Sequence, residues 1–161
     1  MTETLKAQLR NVGFDVVGEI RDAVHSLGIY INPKDIKRGK AGHPMHCTTA
    51  QCISRAIDSD KPRVAVFKYT AYIQMPGLTQ VRRYAIGTRL RNLVIEPQDE
   101  GTEITPGDYI LKAPSGSQRL GQASERRERL RKLRAEGKEP PMSKRTGPSK
   151  RHIRVRWQRT V

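Results

Sequence analysis

Cysteine occurs twice in this 161-residue chain, aromatic residues make up 5% of it, and no apolar run approaches the length of a membrane span. Two cysteines, Cys47 and Cys52, cannot build the disulfide framework of a small secreted domain, and they suit a reducing cytosol. A spanning helix needs about 20 consecutive apolar residues, so no membrane segment is expected. Met1-Thr2-Glu3-Thr4 leads into no apolar stretch, so no secretory signal is expected either. Hydrophobic residues reach 35%, concentrated between Phe14 and Leu111. That share is below the globular norm and leaves room for one modest core.

Chemical signatures are equally sparse. There is no G-x-x-x-x-G-K-[ST] phosphate loop, and no zinc-finger spacing, aromatic RNP pattern or leucine zipper. The 16 acids are spread so that their spacing gathers no carboxylate set for a magnesium-dependent nuclease. His43, His46, Cys47 and Cys52 are residue types that zinc accepts. They fall within one short stretch, however, whereas structural zinc sites join two ligand pairs across a longer loop. Cys47 precedes an expected helix start, which predicts a lowered thiol pKa. No orienting partner or oxyanion site is recognisable beside it. The expectation is a protein without metal, cofactor or catalysis.

What the chain does have is positive charge. The formal net charge is +15, and Ser117 to Val161 carries fifteen of the 31 Lys and Arg against four acids. Eleven of those fifteen are Arg, which favours phosphate forks and stacking on bases over mere solubilisation. A basic arm on a mildly basic body is the electrostatic footprint of a protein that meets polyphosphate. The division expected is a body over 1–116 and an arm over 117–161.

Along the body, Val17, Ile20, Val24 and Leu27 recur at helical spacing. They predict an amphipathic helix capped by Asp15 and stopped by Gly28. Ile29 to Ile31 reads as a strand, Asn32-Pro33 as a turn, and Lys34 to Met45 as a basic loop. Thr48-Thr49-Ala50-Gln51 reads as a capping box with Thr48 as cap, and Cys47 and Cys52 take the two staple positions. Asp58 to Pro62 should end that helix. Val64 to Ile73 reads as one strand, returning through Pro76-Gly77 as Thr79 to Gly87. Arg89 to Ile95 fits helix or strand, Asp108 to Leu111 is a short strand, and Ala113 to Gly121 is a linker. The arm begins with a helix over about 124–135 capped by Ser124, runs extended from Glu139 to Lys150, and ends in an alternating segment, 152–161, that suits a docking strand. The fold class expected is α+β: a small, mostly antiparallel sheet packed with two or three helices, followed by a basic helical and extended arm.

The residues expected to meet nucleic acid are Arg126, Arg127, Arg131, Lys132, Arg134, Lys144, Arg145, Lys150, Arg151, Arg154 and Arg156. Trp157, between arginines, could stack on an unpaired base or anchor the last strand. Lys37, Arg38 and Lys40, with Lys34, form a second cluster before a helix start, suited to an anion or simply solvated. Arg82, Arg83, Arg89 and Arg91 form a third.

Ile29 to Ile57 has the form I-x-I-N-x-x-D-I-x-x-G, a spacer, then C-T-T-A-x-x-I. This resembles the opening of small uncharacterised phage and prophage proteins, in which a strand leads through an Asp-Ile-x-x-Gly turn to a Cys-Pro-x-Ala helix start. The matching positions are Asp35, Ile36, Gly39, Cys47, Ala50 and Ile53, with Thr48 in place of proline. The resemblance implies a phage-like origin and a setting in host cytoplasm or virion; it carries no activity.

The functional expectation is non-catalytic nucleic-acid binding, to DNA or RNA, through phosphate contacts by the arm. The alternative is a virion structural or assembly protein whose arm contacts neighbouring subunits, as a homo-oligomer, and packaged genome. A third reading is a small protein that inhibits a host enzyme by posing as, or competing for, nucleic acid.

Overall fold

Leu5 and Leu9 lie one helical turn apart, and Gly13 and Phe14 follow at the spacing of a left-handed helix stop. A computed structural model, which describes residues 2–14, 17–57 and 61–138, forms helix α1 there, over Thr2–Asn11. Gly13 has φ +114°, its N–H donates to the Arg10 carbonyl, and the Phe14 N–H reaches back to Leu9. This paired closure, with Leu9 packed near Phe14, ends the helix.

The helix expected over 15–28 does not form. Val17 and Ile20 are buried, but in extended chain, and Val24 is 72% exposed. Strand β1, Ile20–Asp22, runs parallel to Val81–Arg83, and Leu27 already belongs to strand β2, Leu27–Ile31. Pairing with the sheet outweighs the local helical stripe. Asp15, its expected cap, lies outside the described residues.

Asn32-Pro33 is not a simple turn, because helix α2 follows at once over Pro33–Arg38. Asn32 Oδ1 accepts from the Asp35 N–H at 2.8 Å, and Asp35 Oδ2 accepts from the Asn32 N–H at 3.0 Å. Pro33 sits where its missing N–H costs nothing. Helix α3 covers Thr48–Ala56, and its cap is Cys47 rather than Thr48. Thr48 has entered the helix, with its N–H on Gln98 Oε1 at 3.1 Å, and Cys47 Sγ accepts from the Ala50 N–H. With Cys47 as the cap, Cys47 and Cys52 no longer hold the two staple positions, though Cys47 still packs against the core that contains Cys52. The Thr48 and Thr49 hydroxyls are buried without a hydrogen-bond partner among the described residues. Of the expected stop, Asp58 to Asp60 lie outside the described residues.

Val64 to Ile73 is two strands rather than one. β3, Arg63–Val66, turns through Phe67 to Tyr69 into β4, Thr70–Gln74, and the Phe67 N–H bonds the Thr70 carbonyl at 2.8 Å. The turn at Pro76-Gly77 leads to β5, Val81–Ile86, antiparallel to β4 as expected. A helical run then extends from α4, Thr88–Leu90, through a wide π-helical turn, Arg91–Ile95, into α5, Glu96–Glu100. Pro97 cannot donate to the Leu93 carbonyl, and the Thr105 N–H takes that acceptor at 3.0 Å. β6, Gly107–Lys112, completes the sheet, and α6, Gln122–Ala135, starts two residues before its expected position, with Ser124 inside it rather than capping it.

The fold is α+β. The strand order is β2-β6-β5-β4-β3, antiparallel throughout, and β1 joins β5 in parallel. β5 gives one edge to β4 and divides the other, with Val81–Arg83 on β1 and Ala85 and Ile86 on β6. The sheet curls around α3, which touches both of its outer strands, β2 and β3. Ile29, Ile31, Ile53, Val64, Ile73 and Leu111 fill that concave side. The opposite face of β3 to β5 packs Ala65, Tyr72 and Val81 against Leu9, Phe14 and Ile20. Among the described residues no helix is long and apolar enough to cross a membrane.

The chain divides into two units, Met1–Glu125 and Arg126–Val161, later than the 116/117 boundary expected from composition. Part of the expected linker belongs to the first unit. A 3₁₀ turn over Gly116–Gln118 offers its Gln118 carbonyl to Arg83 Nη1 at 2.8 Å. The Leu120 N–H donates to Asp22 Oδ2 at 2.7 Å. Of the second unit, residues 126–138 are described: the remainder of α6 and its stop at Gly137.

Asp35 is 3% exposed. It receives Arg55 Nε at 3.1 Å and Nη2 at 2.8 Å. Burial pulls its carboxyl toward the neutral form, but the Arg55 guanidinium, the Asn32 N–H and the charge of Arg38 outweigh it, so its pKa falls below the ordinary value. A depressed folded-state pKa contributes stability that is present above the unfolded value and lost as pH falls through the folded one. Asp35→Asn should lower unfolding free energy by about 2 kcal/mol at neutral pH. The gap to the native chain should narrow below the carboxylate range, as measured by urea denaturation across pH.

Candidate nucleic-acid interface

Of the residues expected to bind nucleic acid, Arg126, Arg127, Arg131, Lys132 and Arg134 lie on α6, all exposed. On a helix, residues four and seven apart share a face, so Arg127, Arg131 and Arg134 form one row. None of the three makes an ion pair among the described residues, whereas Lys132 on another face meets Glu128 at 3.4 Å. Leu130 and Leu133 are half-buried. Lys144, Arg145, Lys150, Arg151, Arg154, Arg156 and Trp157 lie outside the described residues, as do the expected extended stretch and docking strand.

Lys34, Lys37, Arg38 and Lys40 are exposed at and just beyond α2. Positive charge in the last turn of a helix is favourable there in its own right, and Arg38 also supports the Asp35 carboxylate. The third cluster divides. Arg89 Nη1 donates to the Asp108 carbonyl at 2.8 Å and lies 5.0 Å from the centre of the Tyr109 ring. Arg82 is exposed on β5.

Arg83 and Arg91 instead line one cavity of about 320 Å³, together with Tyr69, Thr88, Lys112 and Gln118. Arg91 lies 5.0 Å from the Tyr69 ring centre and Lys68 Nζ 5.8 Å from it. Glu96 Oε1 is 3.1 Å from Lys68 Nζ and 3.9 Å from Arg91 Nε. Arg83 is clamped by Asp22 Oδ1 at 2.8 Å. Neither Tyr69, legible only as one of the tyrosines on the hairpin expected over Val64 to Gly87, nor Lys112 is among the residues expected to bind nucleic acid. The register of β4, β5 and β6 brings them together.

Cys47, Cys52 and the backbone at His43 and His46 have structural roles. The His43 carbonyl accepts the His46 and Cys47 N–H groups, turning the chain into α3, while the two imidazoles are exposed with ring centres 6.4 Å apart. Cys52 is buried and its Sγ donates to the Tyr30 carbonyl at 3.0 Å. Among the described residues no three His, Cys, Asp or Glu side chains are arranged to hold a metal ion. Burial pushes the Cys47 thiol up, against the expectation of a lowered value, because desolvation outweighs the N–H groups of Ala50 and Thr49. Burial, helped by the charge of Asp35, pushes Cys52 up to about 11.

Comparison with protein-family models, with curated proteins and with solved structures finds no match for this chain.

Both thiols should therefore stay protonated at neutral pH. In a kinetic thiol-disulfide titration, the folded chain is expected to react far more slowly than the same chain in denaturant, where both cysteines become available. Rapid labelling of Cys47 in the folded protein would contradict this and revive it as a nucleophile.

Proposed function

We propose that the protein binds nucleic acid without catalysis, through phosphate contacts made by its basic C-terminal arm. The observation that carries this reading is the row formed by Arg127, Arg131 and Arg134: exposed, on one face of α6, and without a carboxylate partner among the described residues. Three guanidinium forks free of ion pairs among the described residues are available to phosphate oxygens. The charge of Ser117 to Val161, eleven positive of the formal +15, supports it. So does the preponderance of Arg over Lys there. Contacts of this kind read the backbone rather than base edges, so little sequence preference is expected. The absence of a catalytic role is inferred from the scattered acids and the protonated, structurally employed cysteines.

A phage-encoded origin, with host cytoplasm or virion as the setting, is proposed on the resemblance over Ile29 to Ile57. The second reading is a virion assembly protein. The alternating Ile153, Val155, Trp157 pattern favours it, since such a segment can add to a sheet edge in a neighbouring copy. Size-exclusion chromatography with light scattering separates the two: a monomer free of nucleic acid fits the first reading, and a stable homo-oligomer the second.

Replacing Arg126, Arg127, Arg131 and Arg134 with Gln should weaken binding to a duplex oligomer. It should also flatten the salt dependence by about 0.9 in log–log slope for each phosphate that is no longer neutralised. The melting temperature should barely move, because these side chains are exposed. Fluorescence anisotropy at two salt concentrations measures the first pair of effects, and thermal denaturation the last. Unchanged affinity would sink the assignment to this helix.

A further inference from the structure

Tyr69 is 59% exposed, in the turn between β3 and β4. An aromatic ring in such a turn gains little from burial, yet its surroundings are firmly built. The Tyr69 carbonyl accepts the Ile86 N–H at 2.9 Å, which fixes the turn to the end of β5. The Arg91 N–H bonds the Gly87 carbonyl at 3.1 Å, which fixes the helical run that supplies Arg91. Lys112 lies at the end of β6, and its Ala85 partner on β5 belongs to the same cavity. The cavity is thus assembled from a turn, a helical run and strand ends that backbone hydrogen bonds tie together.

The chemistry of the lining is one-sided. Arg83, Arg91 and Lys112 contribute three cations, Thr88 a hydroxyl and Gln118 an amide, and among the described residues no carboxylate lines the space. Two cations are partly committed, Arg83 to Asp22 and Arg91 to the Tyr69 ring and, loosely, Glu96. Lys112 makes no ion pair among the described residues. An exposed aromatic ring that shares its cavity with Arg91, 5.0 Å from the ring centre, and with Lys112, a cation without an ion pair among the described residues, matches one nucleotide unit of a single strand. The base offers a π face and the adjoining phosphate offers charge. A duplex keeps its bases stacked on each other and cannot present one to Tyr69.

We propose that this cavity binds a single nucleotide unit within a single-stranded nucleic acid, with the base stacked on Tyr69 and its phosphate between Lys112 and Arg91. The inference rests on the nucleic-acid reading above and adds to it a preference for single strands located on the body. Arg83 is a positioning residue, because its guanidinium holds Asp22 and the Gln118 carbonyl at the cavity wall.

The test is anisotropy titration of a labelled ten-nucleotide single strand and the matching duplex. It compares the native chain, Tyr69→Ala, Tyr69→Phe, Lys112→Gln, and the four-arginine arm variant, each checked for an unchanged thermal melt. Tyr69→Ala should weaken single-strand binding roughly tenfold, the size of a missing base stack, and leave the duplex within about twofold; Tyr69→Phe should restore most of the affinity. Lys112→Gln should weaken the single strand and lower its salt slope by about 0.7. Excess inorganic phosphate separates simple anion binding: full competition at the cavity, with no effect of Tyr69→Ala, overturns the nucleotide assignment. Equal losses on both substrates, or none, also overturn it, while the arm reading stands if the arm variant still loses duplex affinity. A native chain that binds neither oligomer overturns both.

Discussion

The Asp35 carboxylate is the point on which the rest of the body depends. It closes the capping box that starts α2, receives both arms of the Arg55 fork from α3, and through Arg55 is joined to β2, because Nη2 of the same guanidinium donates to the Tyr30 carbonyl at 2.6 Å. Cys52 donates to that same oxygen. β2 is the last strand in the sheet order, so Tyr30 lies at an edge where a carbonyl has no further strand to bond. Arg55 and Cys52 supply the missing donors. A buried carboxylate alone would be strongly unfavourable. Three charge-assisted or backbone bonds offset its desolvation, and Arg55, which is half exposed, keeps contact with water.

The residues that carry the opening motif all take part in this arrangement or pack beside it. Ile29 and Ile31 point into the concave core, Asn32 and Asp35 form the box, Cys47 caps α3, and Ala50 and Ile53 are fully buried. Gly39 is required by proximity rather than by backbone angle. A Cβ there would fall against Thr48 Oγ1 and within 2.6 Å of the Thr48 nitrogen, which is backbone and cannot swing aside. The motif therefore encodes a scaffold: a strand, a capped short helix, a tight crossing and a second capped helix.

Elements marked by turn chemistry were legible without coordinates. Pro76-Gly77 marks the turn into β5, the strand read over Asp108 to Leu111 lies within β6, and the α+β class follows from such strands. What failed was local pattern read without its partner. Val17, Ile20, Val24 and Leu27 make a persuasive helical stripe, but β5 has a vacant edge beside Val81, and pairing there defeats the stripe. Val64 to Ile73 is apolar but for Lys68 and Thr70, with β4 covered on both faces, and the fold back at Phe67 to Tyr69 has no glycine or proline to mark it. Thr48 and Cys47 compete for one cap; Cys47 takes it, and the Thr48 N–H donates to Gln98, fifty residues away in sequence.

The candidate site divides along the same line. Net charge is additive along a chain, so the basic arm is visible in composition, and the helical period is enough to place Arg127, Arg131 and Arg134 in a row. A cavity is not additive. Tyr69, Arg91 and Lys112 come from a turn, a helical run and a strand, and only the β4-β5-β6 register makes them neighbours. The two features also differ in what they could distinguish. Phosphate forks respond to charge density and thus favour any polyanion, duplex above all, whereas an aromatic ring beside an uncommitted ammonium responds to an unpaired base. On the proposed reading, the arm would set how strongly the protein is drawn to nucleic acid, and the cavity which form of it is retained. Discrimination would then come from the body that Asp35 and Arg55 hold together, despite its far smaller share of the charge.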